Sequence, residues 1–168
     1  MWSIFGRYDS MDEMEHMGMM ILVPKKSKET KEIYSITHKT SKRDGKLQIE
    51  GLIIAMKNEK KFGFIYCRST PTNPEITAIC RDFNPCDILM GDFNLSHRST
   101  DDKTKVTRLC QDNKINALKE ITRSVSNNQL DYVFVDKSMK DNFLLQAITT
   151  SSVTTSQLLS ELVMKKMN

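Results

Sequence analysis

Between residues 47 and 135 short apolar runs end in polar or glycine-containing turns, and segments of helical period are set between some of them. Leu47 to Met56, Phe62 to Tyr66, Asp87 to Met90 and Leu130 to Val135 are strand candidates, rich in β-branched and aromatic residues. Glu75 to Phe83 places Ile76, Ile79 and Cys80 on one helical face, and Asp102 to Asp112 does the same with Val106, Leu109 and Cys110. Helices that fall between strands call for a sheet covered by helices, hence an α/β (α+β) domain and not an all-β sandwich. Outside this stretch, Gly18 to Val23 is an apolar strand candidate stopped by Pro24, and Lys31 to Lys39 is a second. Arg43-Asp44-Gly45-Lys46 is hairpin-turn chemistry. Asn142 to Ile148 reads as a further strand and Ser156 to Lys166 as a short amphipathic helix. Residues 1–17, Met-rich and acidic without a clean period, form an irregular lead-in or a loose helix, so the folded domain is expected over 18–168.

A chain of 168 residues suits one domain with a real core. Its net charge of +4 is compatible with a polyanionic partner without requiring one. Cys67, Cys80, Cys86 and Cys110 include no CxxC pair and no zinc-like spacing with His, so plain thiols in a reducing compartment are expected. The apolar run Met19 to Val23 is too short to span a bilayer and follows acidic residues, the wrong flank for a signal peptide. Nucleus or cytoplasm is the expected location.

Ile88-Leu89-Met90-Gly91-Asp92-Phe93-Asn94 carries the strongest chemical signal. An apolar strand ending in Gly-Asp-Phe-Asn delivers a carboxylate and an amide together at its C-terminal end. Hard cations such as Mg²⁺ take oxygen ligands and keep waters for chemistry, which Asp92 and Asn94 can supply. The Asp can also orient or deprotonate water, while the Asn holds a phosphate oxygen or that water. The bland reading is a turn after a strand. Two further segments lie in order around it: a strand ending in Tyr66-Cys67-Arg68 before a Pro71 loop, and Leu130-Asp131-Tyr132, a strand with one carboxylate near its start. Taken singly, Tyr66 is an ordinary half-buried aromatic and Asp131 a cap or turn residue.

Taken together, the segments from Gly18 to Thr150 resemble the endonuclease/exonuclease/phosphatase superfamily, and most closely the apurinic-type endonuclease domains of non-LTR retrotransposons. Gly18 to Val23 is similar to that family's G-x-A-I-L-V strand, and Glu50-Gly51-Leu52 to its E-x-L strand. Tyr66 falls on the active-site Tyr, Asp92 and Asn94 on the G-D-F-N pair, Ile121-Thr122-Arg123 on the stretch before the last motif strands, and Asp131 on the Asp of x-D-Y-I. The resemblance implies a two-sheet α/β sandwich, present here in part, with Mg²⁺ or Mn²⁺, DNA as partner, and phosphodiester hydrolysis. It implies Asp92, Asn94, Tyr66 and Asp131 as catalytic residues, the first two also holding the metal.

Departures from the family pattern run through both ends. The family's N-terminal Asn and metal-binding Glu have no counterpart; Glu13 and Glu15 lie in no similar strand. Its terminal Ser-Asp-His is replaced by Thr149 to Ser156 without Asp or His. His97, on a loop just past Asn94, reads as a solvent-facing histidine, the alternative being a substitute for that missing His. The lysines and arginine from Lys25 to Lys46 read as the solvated face of a hairpin or as contacts to a phosphate backbone. A truncated, retrotransposon-derived hydrolase is thus one expectation; an inactive remnant that binds nucleic acid or a protein is the other. A phosphoinositide or sphingolipid substrate fits the segments less well.

Overall fold

A computed structural model describes residues 2–9, 18–24, 33–110, 114–116 and 129–138. The β1 (Trp2–Asp9) and β2 (Gly18–Pro24) strands pair antiparallel as a two-stranded sheet. The remaining strands are β3 (Ile33–Arg43), β4 (Lys46–Met56), β5 (Lys61–Cys67), β6 (Ile88–Asp92), β7 (Lys114–Asn116) and β8 (Asp131–Asp136). They form one six-stranded sheet in the order β3-β4-β5-β6-β8-β7. Helix α1 (Asn73–Phe83) connects β5 to β6, the one parallel pair of this sheet, and α2 (Thr100–Leu109) follows β6. The fold class is α+β.

Local chemistry accounts for the turns. Asp44 (φ 52°) and Gly45 (φ 78°) both take left-handed backbone, the demand of a tight primed hairpin turn, and so join β3 to β4. On one face of the large sheet Ile49, Ile65, Cys67, Leu89, Tyr132 and Phe134 pack with Ile76, Ile79 and Phe83 of α1 and Leu109 of α2. Phe93 enters this core just past β6, edge-on to Phe134 at 5.2 Å and to Tyr132 at 6.1 Å. Burying one such ring contributes roughly 1.5–3 kcal/mol. Leu52, Ile54, Ile88, Met90, Val133 and Val135, at alternate positions, are buried too, so much of β4, β6 and β8 is covered on both faces. The β2 strand lies close to β4.

Two expectations are corrected. The stretch 1–17 is not wholly irregular: Trp2–Asp9 is a strand, as its Trp, Ile, Phe and Tyr allow, and pairing with β2 decides it. The connection after α2 holds a short strand, β7, that the sequence reading lacks. All four cysteines are unbridged, Cys67 and Cys86 buried, Cys80 and Cys110 half-buried. The strand expected at Asn142 to Ile148, the helix at Ser156 to Lys166 and the motif at Ile121 to Arg123 lie outside the described residues, as do Lys25, Lys26, Lys28 and Lys31.

Helix α1 begins at a tied corner. Oε2 of Glu75 accepts from the Thr72 backbone N–H at 2.7 Å and from its hydroxyl at 2.9 Å, while Arg43 grips the same carboxylate from the β3 end. Burial would raise this carboxyl; the bonds from Arg43 and Thr72 outweigh it and hold it below its ordinary value. A depressed carboxyl stabilises the fold fully above its unfolded value, about 4.3, and less as pH falls through the folded value. Wild type is therefore expected to melt above Glu75→Gln at pH 6, with the gap closing toward pH 3. A gap that stays constant with pH would refute this coupling.

Candidate functional site

Strand pairing aligns the singled-out residues. Tyr66 on β5 is the register partner of Asp92 on β6, and Asp92 is the partner of Asp131 on β8. Residues in register on neighbouring strands project from the same face, and strands lie about 4.8 Å apart, so the three span roughly 10 Å. On the other side of Tyr66 the row continues to Glu50 on β4. Tyr66 is 40 % exposed, whereas Asp92 and Asp131 are each 6 % exposed. The row thus has one open aromatic hydroxyl beside carboxylates set into the protein.

Gly91 explains why the motif begins with glycine. It pairs with Ile65 at φ 149°, and a Cβ there would stand 1.8 Å from the Ile65 carbonyl oxygen. Only a residue without a side chain lets β6 approach β5 this closely. That approach sets Asp92 beside Tyr66.

Past β6 the chain turns sharply. Asn94 adopts φ 52°, the left-handed region that Asn tolerates better than most residues. Its backbone N–H donates to Asp92 Oδ1 at 2.9 Å, closing a turn over the carboxylate. The Asn94 side-chain nitrogen donates to the carbonyls of Arg68 (3.1 Å) and Cys67 (3.4 Å). With the amide's donors directed at those carbonyls, its oxygen is the end left to a ligand. An acceptor there suits a cation or a water, and does not suit direct donation to a phosphate oxygen.

The loop beyond is braced from two sides. Asp102, near the start of α2, accepts from the Ser96 N–H at 3.0 Å and pairs with the buried Lys105. The Tyr132 hydroxyl donates to the Leu95 carbonyl at 2.9 Å. Burial, with the Asp102 and Asp131 charges, pushes that hydroxyl up to about 12, so it stays protonated. His97 is not a solvent-facing residue: it is half-buried, and Nδ1 accepts from the Gln129 N–H at 2.9 Å. This bond ties the loop to the approach to β8 and puts the proton of the neutral ring on Nε2. Cys67 lies under Asp92; burial first, then the Asp92 and Glu75 charges, push its thiol far up, which removes it as a nucleophile.

Three residues gain importance that the sequence did not assign. Glu50 is fully buried, and His38 Nε2 donates to its Oε1 at 2.8 Å. The signal was present, because a glutamate inside the apolar run LQIEGLIIAM needs a partner. Arg43, expected on a solvated hairpin face or against phosphate, is instead committed to Glu75. Lys39, Lys42 and Lys46 are exposed.

Donor chemistry at Asp92 and Asn94 is hard oxygen, the kind Mg²⁺ and Mn²⁺ prefer. Among the described residues no three His, Cys, Asp or Glu side chains cluster closely enough to hold an ion. Asp92 and the Asn94 amide oxygen could hold one jointly, since Mg²⁺ is commonly bound through one or two carboxylates with waters and substrate phosphates completing the shell. Among the described residues no helix is long and apolar enough to cross a membrane. No protein-family model, no curated protein and no solved structure matches the chain.

Proposed function

We propose that the chain is a metal-dependent phosphodiester hydrolase of the endonuclease/exonuclease/phosphatase type, acting on DNA and closest to the retrotransposon endonuclease branch. The observation that carries this reading is the register row of Tyr66, Asp92 and Asp131, with Asn94 turned back over Asp92. A two-sheet sandwich in that family's manner is part of the proposal; the approach of β2 to β4 supports it. Asp92 and the Asn94 oxygen would hold Mg²⁺ or Mn²⁺, which when bound polarises a phosphate and acidifies water. Asp92 accepts a hydrogen bond from the attacking water and takes its proton. The exposed Tyr66 hydroxyl donates to a phosphate oxygen. Asp131, the register partner of Asp92, would add a second carboxylate beside the site.

A remnant that binds nucleic acid or a protein without cutting is the second reading. What favours it is the small ligand set among the described residues. Incubation with supercoiled, nicked and abasic DNA separates the two. The hydrolase is expected to cut at least one substrate with Mg²⁺ or Mn²⁺ and to stop in EDTA. Silence under every divalent ion would remove the hydrolase reading and leave the remnant.

A further inference from the structure

We propose that Arg43 is a positioning residue for Asn94, acting through the 68–72 segment that links β5 to α1. The segment has no regular structure, yet the Asn94 amide is held against it. Thr70 adds a second tie, its hydroxyl donating to the Asn94 carbonyl at 3.1 Å. Whatever fixes the segment therefore fixes the direction of the Asn94 oxygen.

Both flanks of the Asp44-Gly45 turn do this. On the β4 flank, Gln48 accepts from the Arg68 N–H at 2.8 Å and, through its side chain, from the Ser69 hydroxyl at 2.7 Å. On the β3 flank, Arg43 makes three bonds with one planar group: Nε to Glu75 Oε1 at 3.1 Å, Nη2 to Glu75 Oε2 at 2.7 Å, and Nη2 to the Thr70 carbonyl at 3.2 Å. A guanidinium can grip a carboxylate with two donors and still reach a carbonyl, whereas an ammonium is a point donor with no fixed plane. The grip also locks the first turn of α1, because the same carboxylate accepts from Thr72. Asn94 gains its orientation from this lattice because its own left-handed backbone does not supply it.

The chemical consequence rests on the reading of Asp92 and Asn94 as the cation-holding pair; the coupling itself does not. Supporting residues of this kind typically change metal affinity or rate ten- to a hundredfold. The test uses the full chain as wild type, Arg43→Lys and Glu75→Gln, with Arg81→Lys as control, since Arg81 pairs only with the neighbouring Asp82 on an exposed stretch of α1. Hydrogen exchange of the Asn94 side-chain amide, followed by nuclear magnetic resonance, is expected to quicken in both strut variants and not in the control. Unchanged exchange overturns the proposal. Mn²⁺ alone is then titrated by water-proton relaxation. Binding about tenfold weaker in Arg43→Lys, with cleavage losing kcat at constant KM, supports it. Equal Mn²⁺ binding by wild type and Arg43→Lys, with Asp92→Asn binding none, overturns it while the site reading stands. If wild type binds no Mn²⁺, the site reading fails and the exchange rates alone decide the coupling.

Discussion

Gly91→Ala is expected to cost on the order of 4 kcal/mol or more, a large part of the roughly 5–15 kcal/mol that holds a domain folded. The added Cβ would meet the Ile65 carbonyl oxygen at 1.8 Å and its carbon at 2.8 Å. Both are backbone atoms inside a strand, so no side chain can rotate away. Relief requires β6 to leave β5, and β6 is also the ladder to β8. The strain of an L side chain at φ 149° adds to the clash. Urea unfolding of wild type and variant measures the loss. A variant within about 1 kcal/mol of wild type would mean the two strands are not this close.

Asp92→Ala is expected to lower metal-dependent cleavage by about three to four orders of magnitude while the fold persists. In the proposed hydrolase the carboxylate would both hold the cation and take a proton from water, each typically worth a factor of about 10² or more. One of its structural ties, the Asn94 N–H that it accepts, is worth about 1 kcal/mol. Asp92→Asn separates the two roles, since an amide oxygen can still accept that N–H but brings no charge. Both variants should melt near wild type and both should be inactive. Cleavage by either at even a tenth of the wild-type rate would remove Asp92 from the chemistry.

How far the sequence reaches depends on what decides each residue. Strands β6 and β8 were legible because burial on both faces demands apolar runs, and DILM and LDYVFV are such runs; β5 was legible from the aromatic and β-branched residues of FGFIY. The turn at Asp44-Gly45 was legible because few residue pairs accept left-handed backbone at both positions. Helix α1 starts two residues earlier than Glu75, at Asn73, because Thr72 and Pro74 set its first turn. Helix α2 likewise begins at Thr100, where the Ser99 hydroxyl accepts the Asp102 N–H. Strand β1 escaped because its β-formers adjoin an acidic, Met-rich stretch and its pairing with β2 is tertiary information. At the site, the letters pointed to Tyr66, Asp92, Asn94 and Asp131. They could not give the cross-strand register, nor which end of the Asn94 amide faces outward. Arg43 looked like one more surface charge, because Glu75 lies far along the chain.

The register row also governs when such a site can exist during synthesis. Strands β3, β4 and β5 are neighbours in sequence and can close as hairpins soon after leaving the ribosome. Tyr66 gains Asp92 as a neighbour only after α1 has emerged and β6 has docked parallel to β5, the slower kind of pairing. Until β8 follows, Ile88, Leu89 and Met90 present an unpaired apolar edge to solvent. The interval between the emergence of residues 92 and 131 is therefore when the nascent chain is most exposed to aggregation.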